Sequence, residues 1–101
     1  MVVKKNCLIV GASGGIGNEI TKKIAEQNYN LFLIGKNKNK LLKLKKEIKK
    51  DNITIEVESV DLTNEKQINK SIKKIRKTFG KIDILINTSG IFLIKPIDKT
   101  T

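Results

Sequence analysis

Seven residues near the start of the chain, Gly11-Ala12-Ser13-Gly14-Gly15-Ile16-Gly17, form the kind of turn that can hold a phosphate group. Glycine lets the backbone approach an anion closely, and a helix beginning at such a turn presents free N–H groups with a partial positive charge. The bland alternative is a glycine-rich turn that serves only close packing of a strand against a helix. Other polar residues each follow an apolar run: Lys36 behind Gly35, Asp61-Leu62, and Asn87-Thr88-Ser89-Gly90. Alone, Asp61 reads as a cap or turn residue and Asn87 as a strand-end polar group. The chain has no histidine and one cysteine, Cys7. That excludes a His-dependent triad and an internal disulfide, and no metal site is expected.

The glycine turn can work only if a strand delivers it and a helix receives it. Asn6 to Val10 is a short, continuous apolar run, as expected of a parallel strand covered on both faces. Beyond the turn, Ile16, Ile20 and Ile24 recur at a spacing that lays them along one helix face, predicting a core stripe. Asn28 and Asn30 suit a helix exit, because asparagine tolerates left-handed backbone. Leu31 to Ile34 is a second buried run, and Leu41, Leu44 and Ile48 mark a second helix with lysines on its outer face. Ile53, Ile55 and Val57 alternate with polar residues, the pattern of an edge strand with one wet face. Thr63 is the expected N-cap of a third helix, with Glu65 in its first turn. Ile68, Ile72, Ile75 and Phe79 form that helix's apolar stripe, Gly80 ends it, and Ile82 to Ile86 reads as a fourth strand. The alternation predicts an α/β fold, with a parallel sheet between helices on both faces and strand order 3-2-1-4. With the strand–turn–helix context in place, phosphate binding outweighs the packing-only alternative.

The chain has 101 residues, enough for a single domain. Its 39% apolar and 31% charged residues are a globular balance. Lys and Arg total 21 against 10 acids, a formal charge of +11. Arg76 is the only arginine, and isoleucine and asparagine are also abundant. Lys, Ile and Asn share AT-rich codons, so nucleotide bias accounts for the composition without selection for charge. Nucleic-acid readers favour arginine and aromatics. Solvated lysine faces are therefore the preferred reading, with no specific nucleic-acid partner. No apolar run approaches the ~18 residues of a membrane span. The run after Lys4 and Lys5 is too short for a secretory signal. A cytoplasmic protein without a membrane partner is expected.

The spacing Gly-x-x-x-Gly-x-Gly, followed in order by Gly35-Lys36-Asn37, Asp61-Leu62 and Asn87-Thr88-Ser89-Gly90, resembles the short-chain dehydrogenase/reductase family. The likeness extends to its 3-oxoacyl-acyl-carrier-protein reductase-like members. It implies a Rossmann-type fold and a nicotinamide dinucleotide partner. Gly11, Ala12, Ser13, Gly14, Gly15, Ile16 and Gly17 would then line the pyrophosphate and adjoining ribose. Asp61 would hold the adenine amino group beside Leu62, and Asn87, Ser89 and Gly90 would border the nicotinamide end. An acid after the second strand would hold the ribose of NAD, whereas a basic group accepts the 2′-phosphate of NADP. Lys36 stands there, with no acid before Glu47, so NADP is the expected cofactor and NAD the alternative.

Two departures are Val10, where the family usually has Thr, and Thr88-Ser89 in place of Asn-Ala. A larger one is the family's catalytic Tyr-x-x-x-Lys pair. The only tyrosine, Tyr29, has Leu33 four residues on, so no catalytic residue is assigned. Residues 1–101 therefore resemble the cofactor-binding half of such an enzyme, truncated before its catalytic region. The implied partners are a missing C-terminal half or a second copy of the chain. A non-catalytic nucleotide-binding module is the alternative, and a basic polyanion-binding domain a third.

Overall fold

In the computed structural model, which describes residues 4–88, strands and helices alternate along the chain. They are β1 (Asn6–Val10), α1 (Gly15–Glu26), β2 (Asn30–Gly35), α2 (Lys38–Ile48), β3 (Ile55–Ser59), α3 (Glu65–Phe79) and β4 (Ile84–Asn87). The strands are parallel, in the order β3-β2-β1-β4. Strand order and class are those expected from the sequence.

Alternation along the strands divides the core in two. Cys7, Ile9, Leu31, Leu33 and Ile55 face α1 and α2, where Ala25, Leu41, Leu44 and Ile48 cover them. Leu8, Val10, Phe32 and Ile34 face the opposite way, toward Ile75 of α3. Phe32 and Phe79 meet edge to face there, with ring centres 6.0 Å apart. The buried residues of α2 are the predicted Leu41, Leu44 and Ile48. Strand β3 lies at the sheet edge, as its alternation implied.

Three local expectations are corrected. The buried face of α1 is Gly17, Thr21 and Ala25, not the isoleucine stripe. Ile16 is 72% exposed, while Ile24 packs only at the margin of the core. Small residues let α1 lie close to the sheet, and the isoleucines, one position away on the helix, turn aside. The N-cap of α3 is Asn64, whose side chain accepts from the Gln67 N–H. The Thr63 hydroxyl instead donates to the Asp61 carboxylate at 2.6 Å. Strand β4 begins at Ile84 rather than Ile82, with Ile82 buried ahead of it.

At the amino ends of the strands, a polar clasp replaces the apolar start expected of β1. Asn6 is buried, and its side-chain amide donates to the Lys81 carbonyl at 3.0 Å. The Asn6 backbone N–H donates to the Asp83 carboxylate at 2.8 Å. Asn30 donates to Asn6 Oδ1 and accepts from the Thr54 N–H. These bonds tie together the segments that enter all four strands.

Candidate functional site

Register places every described candidate at the carboxyl edge of the sheet. Val10 pairs with Ile34 on one side and Asn87 on the other, and Gly35 pairs with Ser59. The glycine turn, Lys36, the Asp61 loop and Asn87 therefore leave neighbouring strand ends. The chain runs from β1 outward through β2 to β3, then crosses back to β4. The turn thus lies where the direction of winding reverses, the place at which open α/β sheets form a ligand crevice. Ser89 and Gly90 lie outside the described residues.

The turn is anchored tightly. Gly11 adopts φ 88°, a left-handed backbone that favours glycine. The Gly11 and Ala12 N–H groups both donate to the Ile34 carbonyl, at 2.7 and 3.0 Å. The Gly14 N–H donates to the Gly11 carbonyl at 3.1 Å. The Thr88 hydroxyl reaches the Val10 and Gly11 carbonyls at 3.0 and 3.1 Å, tying the end of β4 to the turn. The sequence pattern assigns Thr88 no role of its own within Asn87-Thr88-Ser89-Gly90. Its place directly after a strand-end asparagine was the available signal for this anchor.

The glycines divide by role. A Cβ on Gly17 would strike the Gly11 carbonyl oxygen and sit 2.8 Å from Thr88 Oγ1, so packing alone requires glycine there. A Cβ on Gly35 would collide with the Ser13 hydroxyl, so Gly35 seats Ser13 over the end of β2. Gly15 differs. It has ordinary helical backbone, and a Cβ there would meet no atom of the described residues within 4 Å. Neither conformation nor packing explains it, and the bare Cα leaves open space at the start of α1. The N–H groups of Gly15, Ile16 and Gly17 have no intrahelical acceptor. Gly14, at the cap position, has no side chain to provide one, and the first turn holds no acid. This donor set and the space before it fit a pyrophosphate.

Asp61 is a turn residue. Its Oδ1 accepts from the Thr63 N–H at 2.9 Å and from the Thr63 hydroxyl. These bonds, with a smaller contribution from the Lys36 charge, hold its carboxyl below the ordinary aspartate value. The Lys36 charge thus reaches Asp61 across the ends of β2 and β3. Tyr29 stands just before β2, at the opposite end of the sheet from the turn. Burial pushes the Cys7 thiol up to about 12, leaving it inert inside the core.

The sequence profile of the short chain dehydrogenase family matches residues 5–101. The chain belongs to that family. One relative, an uncharacterized oxidoreductase of Staphylococcus saprophyticus, is 32% identical over 94 residues, which are 92% of this chain and 40% of the relative. An NADPH-dependent reductase involved in bacilysin biosynthesis superposes with a TM-score of 0.76 at 27% identity, over 82% of this chain and 34% of that one. An NAD⁺-bound xylitol dehydrogenase gives 0.75 at 28% identity, over 80% and 31%. The chain thus spans about two-fifths of the curated relative's length or less. Among the described residues, no helix is long and apolar enough to cross a membrane.

Proposed function

We propose that residues 1–101 are the cofactor-binding half of an NAD(P)-dependent short-chain oxidoreductase and hold NADP in preference to NAD. Gly15 carries this proposal, because no atom of the described residues would meet a Cβ there, at a helix start whose first N–H groups have no intrahelical acceptor. Gly11 to Gly17 hold the pyrophosphate and adjoining ribose through backbone N–H groups. Asp61 accepts from the adenine amino group through Oδ2, since Thr63 occupies Oδ1. Leu62 packs beside the ring, and Asn87, Ser89 and Gly90 border the nicotinamide end.

Structures similar to this chain include one named for NADPH and one bound to NAD⁺, so cofactor choice turns on the chain's own residues. Lys36, at the end of β2, supplies a positive charge where an acid would favour NAD. When bound, the nicotinamide carries the hydride. The part of these residues is to orient the dinucleotide along the sheet edge. Reducing a carbonyl also needs a proton donor within hydrogen-bond reach of the developing alkoxide. Tyr29, at the far end of the sheet, cannot serve. The chain alone is expected to bind cofactor without turning over a carbonyl or alcohol.

Calorimetry on the wild type and on Lys36→Glu tests the preference. Tighter binding of NADPH than NADH, shrinking or reversing in the variant, is expected. An unchanged ratio removes Lys36 from the site.

A further inference from the structure

Between α1 and α2 runs a groove of about 410 Å³ that opens at Ser13, Gly14 and Gly15 and is walled by Lys22, Lys40 and Lys43. Two acids, Glu19 and Glu47, also line it. Glu47 lies 4.0 Å from Lys22, so those two charges answer each other deeper in the groove. Among the described residues, no carboxylate lies within ion-pair distance of Lys40 or Lys43. Lys40 is in the first turn of α2, and its backbone N–H is held at 3.0 Å by the capping side chain of Asn37. Its starting point beside the glycine turn is therefore fixed by a capped helix, not by a loose loop.

Lys36 approaches from the other side. Its carbonyl accepts the Ser59 hydroxyl at 2.9 Å, and its charge acts on Asp61 at the end of β3. Ser13, seated over Gly35, lies between the two approaches. A ribose held at Ser13–Gly15 would thus lie near the lysine that follows β2 and a second lysine that lines the groove. A phosphate dianion is best held by more than one charge-assisted donor.

We infer that Lys40, with Lys43 behind it in the α1–α2 groove, is a specificity-determining residue that holds the cofactor's 2′-phosphate together with Lys36. This rests on the cofactor site proposed above, and it moves part of the NADP preference from the strand end onto α2.

The test uses the 101-residue chain titrated with NADPH, NADH and adenosine 2′,5′-bisphosphate. Lys40→Gln should weaken NADPH and the bisphosphate on the order of tenfold, the loss of one charge-assisted hydrogen bond, and leave NADH unchanged. Lys43→Gln should do the same to a smaller extent, and Lys40→Arg should restore the preference. Unchanged melting temperatures confirm that the variants fold. If the wild type binds both dinucleotides and Lys40→Gln leaves their ratio untouched, the role of α2 is overturned and the cofactor site stands. If the folded wild type binds none of the three, both fall together.

Discussion

Replacing Gly17 with alanine adds one methyl group in a place with no room for it. The new carbon would strike the Gly11 carbonyl oxygen and lie 2.8 Å from both the Gly11 carbonyl carbon and Thr88 Oγ1. Two of the three atoms are backbone, held by the left-handed Gly11 and its bonds to Ile34, so α1 must be the part that moves. An overpacked core position of this kind costs about 1–3 kcal/mol. The Gly11 carbonyl also accepts from Gly14 and Thr88, and straining those bonds adds about 1 kcal/mol. Against this, alanine is favoured over glycine in a helix by up to about 1 kcal/mol. The clash wins, and a net loss of about 2 kcal/mol is expected, which for a domain of this size lowers Tm by about 10 °C. Gly15→Ala is the matched control. It has a similar propensity gain and no atom of the described residues within 4 Å, so its stability should stay level or rise slightly. Urea denaturation followed by circular dichroism compares the two. A Gly17→Ala variant as stable as the wild type, or a Gly15→Ala variant equally damaged, would refute the division of the glycines into packing and ligand positions.

Three further perturbations probe the rest of the fold. Ser71 is buried, and among the described residues its hydroxyl has no partner, so Ser71→Ala should raise stability by about 1 kcal/mol in the same denaturation assay. The Asp83 carboxyl is held below its ordinary value chiefly by the Asn6 backbone N–H, so the unfolded chain takes up its proton first as pH falls. Its stabilisation is present above the ordinary aspartate pKa of about 3.9 and is lost as pH drops through the lowered folded value. Asp83→Asn should therefore be less stable than the wild type at neutral pH, with the gap closing toward strongly acidic pH in melting curves. Cys7 is fully buried with its thiol pushed up to about 12, so alkylation by iodoacetamide should follow global unfolding. Rapid modification under native conditions would contradict the β1 core.

The sheet was legible in the sequence because continuous or alternating apolar runs mark the strands and helix-spaced residues separate them. Leu41, Leu44 and Ile48 predicted the face of α2 that the structure buries. In α1 the same logic misled, because hydrophobicity marks the isoleucines whereas steric need marks Gly17, Thr21 and Ala25. A helix brought close to a sheet selects small residues, and an apolar count overlooks them. Asn28 was readable as a helix exit, and it adopts φ 63°. The Asn6–Asn30–Asp83 clasp was not readable, because its members are far apart in sequence and each looks like an ordinary polar residue. The difference between Gly15 and Gly17 was hidden for a similar reason. Both are glycines of one motif, and only neighbouring atoms show which is enforced by packing.

The cofactor site is tested most directly by titrating the wild-type chain and Gly15→Ala with NADPH, following nucleotide fluorescence and checking the fold by circular dichroism. Saturable one-site binding by the wild type is predicted, with a clear loss of affinity in Gly15→Ala at undiminished stability. A folded wild-type chain that does not bind NADPH, or a Gly15→Ala variant that binds it equally well, would contradict the assignment of the glycine turn to the cofactor.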